Sequence, residues 1–502
     1  MHLENRITAM KKHIYFLYLL IICSASSCAV SNSEFTPSKK YSPQQLKDDV
    51  QAMEQTLRNN HPSLFWYATP QEIDASFNRA YWLVKDSLNE AAFKNIISET
   101  LFPIRCGHTS VRHSVKWNKF YAGKRPTGFP LGLKIIDDST LILTVNFNRT
   151  DSILKRGMQI LLINGCSAKK IIDTLFPLVP IDGKANNFSY QNISNNFQNY
   201  YNSRFSVTKN YQLQYVDYSG IVKEINLAAL GSSKDTIRHR FNSATNNDTQ
   251  QTISRRQRRL QASRSFSIDS SKQFATLRLN SFTKNVKPSF IKQSFKQLKR
   301  KNISNLIVDV RNNGGGLIKS SLLLTKFLKQ GSFYFTDSIV STHKKIRSTI
   351  TINKKFISNL GMFLFSKKKK EHLYELVFFK KQYQPKKNTF RGKVIILTGG
   401  YSFSATTMFL SSVKGQQNIT LAGEETGGGY YGNNGVFIPE MVLPNTKLRV
   451  RLPLYRIVNN KTHPKNGSGV LPDVEVKASA ESIRFNKDPK MEKAIGLIKL
   501  SK

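Results

Sequence analysis

Cysteine is scarce in this chain, and this scarcity excludes two classes of protein. Only 4 cysteines occur among 502 residues, whereas a disulfide-stapled fold or a cysteine-based zinc site needs several at close, regular intervals. No such spacing is present. Cys106 and Cys166 lie in the body of the sequence, where they are either two buried thiols or one bridge.

Acidic residues are also scarce, with 32 Asp and Glu against 76 Lys and Arg, which gives a net charge of +44. Such an excess is typical of proteins that bind nucleic acid or anionic membranes. It also arises when basic residues are spread over solvated faces. Most of the basic residues here are dispersed and carry no nucleic-acid-binding signature, so we expect no nucleic-acid partner. The exceptions are two basic runs, at residues 255–259 and 367–370.

The N-terminal apolar run, residues 14–23, is too short to span a membrane as a helix. A basic start precedes it and small residues follow it, which is the pattern of an export signal. The small residues end at Cys28, and this arrangement resembles the bacterial lipobox. We therefore predict an exported, membrane-anchored lipoprotein of the bacterial cell envelope, facing the periplasm, with the lipid on Cys28. The alternative is ordinary signal cleavage without a lipid.

The body of the chain changes character several times. Hydrophobic residues make up 39% of the sequence, which is enough for a sizeable core. Helix-start signals at Ser42 and Thr69 predict three helices before about residue 104, and strands alternate with helices from residue 266 onward. We predict an α+β multidomain protein with these segments: a signal peptide at 1–28, a tether at 29–41, a helical region at 42–118, a compact β-rich module at 119–230, a polar linker at 231–265, a catalytic domain at 266–480 with a basic insertion at 355–388, and a tail at 481–502.

A serine-containing turn between a strand and a helix is the strongest chemical signal. Apolar residues 394–398 precede the segment GGYSFSATT, and a helical pattern follows it. A serine at such a corner is exposed and lies close to unpaired backbone N–H groups, which suits a nucleophile of acyl transfer. Either Ser402 or Ser404 fits this description.

Two further segments complete a candidate site. Glycines at residues 314–316 follow a buried strand, and glycine lets backbone N–H groups point outward without a Cβ in the way. A tight turn explains these glycines equally well when they are considered alone. His108 lies in a short polar turn and is one of 9 histidines, although a lone histidine is more often structural.

Four motifs in order resemble the tail-specific, or C-terminal processing, protease family. LIVDVRNNGGG at 306–316 is similar to the family's strand and glycine loop, and SFSA at 402–405 is similar to its nucleophile motif, in which the second serine attacks. GEETGGG at 423–429 and GVLPDVEV at 469–476 resemble its two closing elements. The resemblance implies a ClpP/crotonase-like β-α core, a PDZ-like module at 119–230, and Ser404 as the nucleophile.

The departures from the pattern indicate which branch of the family is closest. Where the Ser/Lys branch carries its basic lysine, this chain has Gly429. Its Gly-His-Thr segment around His108 instead resembles the tricorn-like branch, in which a histidine is the general base. No acid stands where that branch has one to orient the histidine, so Glu424 and Glu425 are candidates only because they lie in an adjacent motif.

These observations predict an envelope-associated serine peptidase that cleaves protein or peptide substrates through an acyl-enzyme on Ser404, with His108 as base. The backbone N–H groups of Ala405 and of Gly315 or Gly316 are expected to form the oxyanion hole. No metal or organic cofactor is implied. The alternative is a catalytically inactive peptide- or ligand-binding lipoprotein on the same scaffold. The basic insertion is either a solvated flap over the active site or a surface that contacts an anionic membrane.

Overall fold

A computed structural model describes residues 35–124, 127–148, 151–231, 254–370, 372–379 and 381–499. The predicted signal peptide, Cys28 and most of the predicted tether lie outside these residues. The chain divides after Lys39, and everything reported below belongs to the unit of residues 40–502. No helix in the described ranges is long and apolar enough to cross a membrane.

The N-terminal part is helical, as its capping signals predict. The side chains of Ser42 and Thr69 each accept a hydrogen bond from the backbone N–H three residues later. The side chains of Gln45 and Glu72 in turn accept from the backbone N–H of Ser42 and of Thr69. Proline at the first helical position supports both starts. The elements of this part are β1 (Lys40–Tyr41), α1 (Pro43–Asn60), α2 (Pro70–Leu83), β2 (Leu88–Asn89), α3 (Glu90–Leu101), β3 (Val111–Arg112) and α4 (Val115–Phe120).

The next part is a β-rich module with its own apolar core. An antiparallel sheet in the order β4-β5-β6-β8-β9, with β7 paired to β6, packs against three helices. Asn164 and Gly165 both have positive φ, which is the backbone of a tight hairpin turn. Its elements are β4 (Leu131–Ile135), β5 (Leu141–Asn146), β6 (Gln159–Ile163), β7 (Cys166–Ser167), α5 (Ala168–Leu175), α6 (Asn187–Asn195), α7 (Phe197–Arg204), β8 (Asn210–Val216) and β9 (Val222–Ala228). The likeness of this module to a PDZ domain stays a prediction.

The rest of the chain alternates strands and helices. The elements are α8 (Arg255–Ser263), β10 (Arg264–Ile268), β11 (Ala275–Leu279), α9 (Pro288–Arg300), β12 (Asn305–Asp309), α10 (Ile318–Leu328), β13 (Phe333–Tyr334), β14 (Ser338–Ser341), α11 (Lys355–Phe365), β15 (Ser366–Lys370), β16 (Leu373–Leu376), β17 (Gln382–Tyr383), β18 (Lys393–Thr398), α12 (Ala405–Val413), β19 (Ile419–Gly423), β20 (Gly432–Gly435), β21 (Glu440–Val442), β22 (Arg449–Arg451), β23 (Tyr455–Val458), β24 (Val474–Glu475), α13 (Ala480–Arg484) and α14 (Pro489–Lys499).

A six-stranded sheet in the order β10-β11-β12-β18-β19-β24 forms the centre of this part. Its strands run parallel except for β10, which pairs antiparallel with β11. Helices cover both faces, so the inner strands are apolar on both sides and read as continuous hydrophobic runs. The carboxyl ends of β12 and β18 meet at one edge of the sheet, which brings the glycine loop beside the serine turn.

A three-stranded sheet connects this core to the N-terminal part. β22 pairs with β21 and with β3, so residues just after His108 are fixed to the catalytic domain. A five-stranded sheet in the order β15-β16-β14-β23-β20 carries the predicted basic insertion. That insertion is therefore not a bare loop, because it contains α11, β15, β16 and β17.

The structure corrects two of the predicted segments. The linker of 231–265 ends in helix α8 and in the first residues of strand β10, because Ser254 caps α8 with a capping box that the polar composition concealed. The tail of 481–502 contains α14, whose Ala494 and Ile498 pack against Ile307 and Ile395 of the central sheet. The mixed α+β multidomain class is confirmed, and the ClpP/crotonase-like character of the core stays a prediction.

Candidate active site

Ser404 lies at the sharp turn between β18 and α12. Its backbone has φ +56° and ψ −121°, and it precedes the first residue of the helix. A residue other than glycine in such a conformation is strained by about 1–3 kcal/mol, and strained residues of this kind cluster at functional sites. The turn leaves the Ser404 side chain partly exposed while its neighbours Phe403 and Ala405 are buried.

Ser402 has a different environment. It is fully buried, and its hydroxyl donates to the carbonyl oxygen of Val310 at 2.9 Å. The hydroxyl also accepts from the Gly399 N–H at 3.3 Å. Ser402 thus ties the serine turn to the end of β12, and Ser404 is the serine that remains available for chemistry.

His108 lies within hydrogen-bond reach of Ser404, although 296 residues separate them in the chain. The distance from His108 Nε2 to Ser404 Oγ is 3.1 Å. A turn closed by the Thr109 N–H and the Cys106 carbonyl oxygen holds the imidazole in place. The Thr109 hydroxyl lies 2.9 Å from Nε2 of His61, which anchors the turn to the N-terminal helical part. The structure therefore brings together the two residues that the sequence predicts as base and nucleophile.

Burial controls the charge of this histidine. His108 is 3% exposed, and burial, with a smaller effect of the positive charge on Arg451, lowers the pKa of His108 to about 3. The imidazole is therefore neutral at pH 7 and can accept a proton from a hydroxyl. Among the described residues its second nitrogen, Nδ1, has no hydrogen-bond partner.

The two candidate orienting acids make their contacts elsewhere. Glu424 pairs with Lys490 at 2.5 Å and accepts from the Gln191 amide at 3.1 Å. Glu425 accepts from the Gly469 N–H at 2.7 Å, and burial raises its pKa. In the described part of the chain, neither carboxylate forms a hydrogen bond with His108. The SFSA and GEETGGG motifs are close along the sequence, but this closeness does not bring either glutamate into hydrogen-bond contact with His108.

The glycine loop packs directly against the serine turn. A Cβ on Gly315 would lie 2.7 Å from the Phe403 carbonyl oxygen, 2.8 Å from Ser404 Cβ and 2.9 Å from the Ala405 nitrogen. Only glycine fits here, since Gly315 also has φ +90°. The conformation of this loop is therefore constrained by its contact with the serine turn, which a tight turn alone does not require.

The predicted oxyanion hole needs one correction. The Gly315 N–H donates to the side-chain oxygen of Asn313 at 3.0 Å, so it is already satisfied within its own loop. The N–H groups of Gly316 and Ala405 have no acceptor among the described residues. These two stay the predicted donors. Asn313 was not singled out from the sequence, although it stands inside the motif, and its carbonyl oxygen also accepts from the Phe403 N–H at 3.1 Å.

Gly429 has no room for the lysine of the Ser/Lys branch. A Cβ at this position would lie 2.4 Å from the Gly432 carbonyl oxygen, which is a backbone atom. Gly429 also forms an isolated antiparallel bridge with Gly469. Sequence and structure agree that no lysine is available from this motif.

A buried acid that contacts the residue before His108 was not identified from the sequence. Asp182 is 2% exposed, and one of its oxygens accepts from the Gly107 N–H at 2.7 Å. Burial raises the pKa of Asp182 to about 7. No motif marks this residue, because it lies 75 positions from Gly107 and meets it only through the fold.

Aromatic packing explains why glycine, and not a larger residue, precedes His108. A Cβ on Gly107 would lie 2.6 Å from the ring of Phe403, and that ring lies 4.7 Å from the His108 ring between centroids. On its other side Phe403 stacks on Phe188 of α6, at 4.8 Å. The β-rich module therefore contributes to the wall that positions the imidazole. Cys106, beside Gly107, is buried and Cys166 is half-buried, and both are free thiols.

The match to a known family covers the segment that carries the central sheet and the serine turn. Residues 273–476 match the family described as Peptidase family S41. This range contains the glycine loop, Ser404 and both closing motifs. It does not contain His108 or the β-rich module. The comparison with curated proteins found no match to this chain.

Solved structures with a similar fold cover almost the whole chain. The crystal structure of mature CPAF has a TM-score of 0.62 and 13% sequence identity, and the alignment covers 91% of this chain and 97% of that one. Mature CPAF complexed with lactacystin has a TM-score of 0.60 at 13% identity, with 91% and 98% covered. At this identity the likeness shows the fold alone.

Proposed function

Residues 273–476 belong to peptidase family S41, and on this premise we propose that the chain hydrolyses peptide bonds through an acyl-enzyme on Ser404, with His108 as the general base. The prediction of a tail-specific protease family is confirmed by this match. The chain is thus a serine-type peptidase, as the sequence predicts, and such a family implies protein or peptide substrates. The pairing of Ser404 with His108 is the further step proposed here.

The observation that carries the proposal is the 3.1 Å separation between His108 Nε2 and Ser404 Oγ. In the proposed first step the neutral imidazole takes the hydroxyl proton while Oγ attacks the carbonyl carbon of the substrate. The N–H groups of Gly316 and Ala405 stabilise the resulting oxyanion. His108 then gives its proton to the leaving amine, and water hydrolyses the acyl-enzyme.

The low pKa of His108 means that this mechanism must stabilise the imidazolium formed during the attack. Burial disfavours the imidazolium that forms during the attack, and for Nε2 to act as base Nδ1 must carry the ring proton. That buried donor lacks a partner among the described residues, which costs about 1–3 kcal/mol. The negative charge that develops on the substrate oxygen is the group that would favour the imidazolium, so we expect the proton transfer to be coupled to the attack.

The same observation favours a second candidate function. A buried histidine whose pKa is about 3 and whose Nδ1 is unpaired suits a scaffold that binds peptides without cleaving them. The two candidates differ in turnover. Incubation of an unfolded protein with the chain, followed by mass spectrometry of the products, should show new termini for the parent and none for Ser404→Ala. Intact substrate in both samples would favour the binding protein.

We also propose that the chain is exported to the bacterial cell envelope and anchored through a lipid on Cys28. The support comes from the sequence alone, from the short apolar run and the small residues before this cysteine. Mass spectrometry of the mature N-terminus tests it. A diacylglyceryl-modified Cys28 is expected, and an unmodified N-terminus at another residue would contradict the anchor.

A further inference from the structure

Helix α11, in the basic insertion, exposes most of its large apolar side chains to solvent. Phe356, Ile357 and Phe363 are 77%, 64% and 65% exposed, and Leu360 and Leu364 are also exposed. These five positions share one helical face. We call them the apolar face of α11. A contiguous set of large exposed apolar side chains is rare on soluble proteins and marks a contact surface.

The packing of the helix fixes this orientation. Its buried residues are Ser358, Gly361 and Met362. The missing side chain of Gly361 lets the Phe437 ring pack close to the helix backbone, since a Cβ there would lie 2.5 Å from that ring. A small, partly polar set of residues therefore faces the protein, and the larger apolar set faces outward. Rotating α11 to bury its apolar face would lose the contact with Phe437.

Positive charge surrounds the apolar face. Residues 342–388 contain thirteen Lys or Arg and two Glu. Lys345, Lys354, Lys367 and Lys368 are exposed. The first turn of α11 has no acidic residue, although a carboxylate there would favour the helix dipole and a lysine opposes it. The charges in this region are thus not arranged to stabilise the helix in water.

A cavity adjoins the apolar face and joins the two kinds of side chain. Its volume is about 460 Å³, and its lining includes Lys344, Phe363 and Tyr374. The Lys344 ammonium lies 5.5 Å from the centre of the Phe363 ring and 5.8 Å from that of Tyr374. Apolar and cationic groups therefore lie side by side. This arrangement is complementary to a surface on which apolar and anionic groups are adjacent.

We propose that the apolar face of α11 docks on an anionic lipid bilayer, with its aromatic and aliphatic side chains in the headgroup region and the surrounding lysines on lipid phosphates. A helix lying in the membrane interface needs this combination of one apolar side and a basic margin. A second copy of the chain would bring two strongly positive surfaces together, and nucleic acid offers no apolar surface for the exposed phenylalanines. The docking is independent of the peptidase reaction.

Sedimentation with lipid vesicles tests the proposal on the full chain carrying Cys28→Ser, which removes the predicted lipid attachment. The test variant combines Phe356→Ser, Ile357→Ser and Phe363→Ser. The matched control combines Trp82→Ser, Ile221→Ser and Val222→Ser, whose side chains are similarly exposed on other parts of the surface. All these positions are exposed, so folding should be preserved, which circular dichroism and the unfolding temperature check in every variant.

With vesicles of phosphatidylglycerol and phosphatidylcholine, the test variant should bind roughly tenfold more weakly than the parent, and the control should bind equally. Binding of the parent should weaken on phosphatidylcholine alone and at high salt. The pair Lys345→Glu and Lys354→Glu should reduce it as well. Equal binding of the test variant and the parent would overturn the proposal. The proposal would also be overturned if the parent did not bind vesicles and instead self-associated through this face, as measured by sedimentation velocity.

Discussion

Replacing Gly315 with alanine should slow the reaction at Ser404, although neither Ser404 nor His108 is itself replaced. The new Cβ would lie 2.7–2.9 Å from Phe403, Ser404 and Ala405. Contacts under 3.0 Å between such atoms are essentially never seen, so the glycine loop and the serine turn must move apart. A displacement of about 1 Å at the reacting atoms costs ~100-fold in rate. We expect Gly315→Ala to lower the rate of reaction at Ser404 by about that factor.

The stability change follows from the same geometry. Alanine at φ +90° is strained by about 1–3 kcal/mol, while the loss of glycine's freedom in the unfolded chain returns only about 0.4–1 kcal/mol. The clash adds to the strain. Urea unfolding should therefore show a net loss of stability, on the order of 1–3 kcal/mol.

Gly314→Ala provides the matched control. Its Cβ would have no atom within 4 Å, so there is nothing for it to displace. The assay is the rate of covalent labelling by a fluorophosphonate, measured for both variants at a temperature well below unfolding. A Gly315→Ala protein that reacts as fast as the parent would refute the packing argument, as would a Gly314→Ala protein that is equally slow.

Three further predictions concern single groups of the site. Because burial lowers the pKa of His108 to about 3, labelling of Ser404 should persist as the pH falls through 6.5 and should decline only near the lowered value; a pH–rate profile with a midpoint near 6.5 would contradict this. Burial raises the pKa of Asp182 from 3.8 to about 7, so its contribution to stability is present below the lower value and is lost as the pH rises through the upper one. Asp182→Asn, whose side-chain oxygen can still accept from the backbone, should flatten the pH dependence of urea unfolding in that window, by about 1.4 kcal/mol per pKa unit; an unchanged slope would argue against it. Ser402→Ala removes a buried hydrogen bond and should cost about 1–3 kcal/mol in urea unfolding while labelling remains, and a loss of labelling in the folded variant would assign chemistry to Ser402 instead.

The sequence predicted the elements whose local signals agree with their packing. Helix-start signals at Ser42 and Thr69 marked α1 and α2, and the structure begins both helices directly after these residues. Helices α6 and α7 were not identified. Their side chains are mostly polar or aromatic and have weak periodicity, and they are stabilised by contacts with the sheet and with one another.

The site divides in the same way. Ser404 and His108 were identified because motifs mark them, and the fold places them 3.1 Å apart. Asp182 and the partner of the Gly315 N–H were not predicted. The first has no sequence signal, and the second depends on which way the Asn313 amide turns. Glu424 was a candidate for its position in a motif, whereas its side chain pairs with Lys490, in a segment expected to be a tail.

Fluorophosphonate labelling at pH 7, mapped by peptide mass spectrometry, measures both the site and the rate of reaction at Ser404. We expect one adduct, on Ser404, which is absent in Ser404→Ala and forms at least 100-fold more slowly in His108→Ala. Both variants should unfold at temperatures close to that of the parent. Absence of an adduct on the folded parent, or an unchanged rate in His108→Ala, would contradict the assignment of Ser404 as nucleophile and His108 as base.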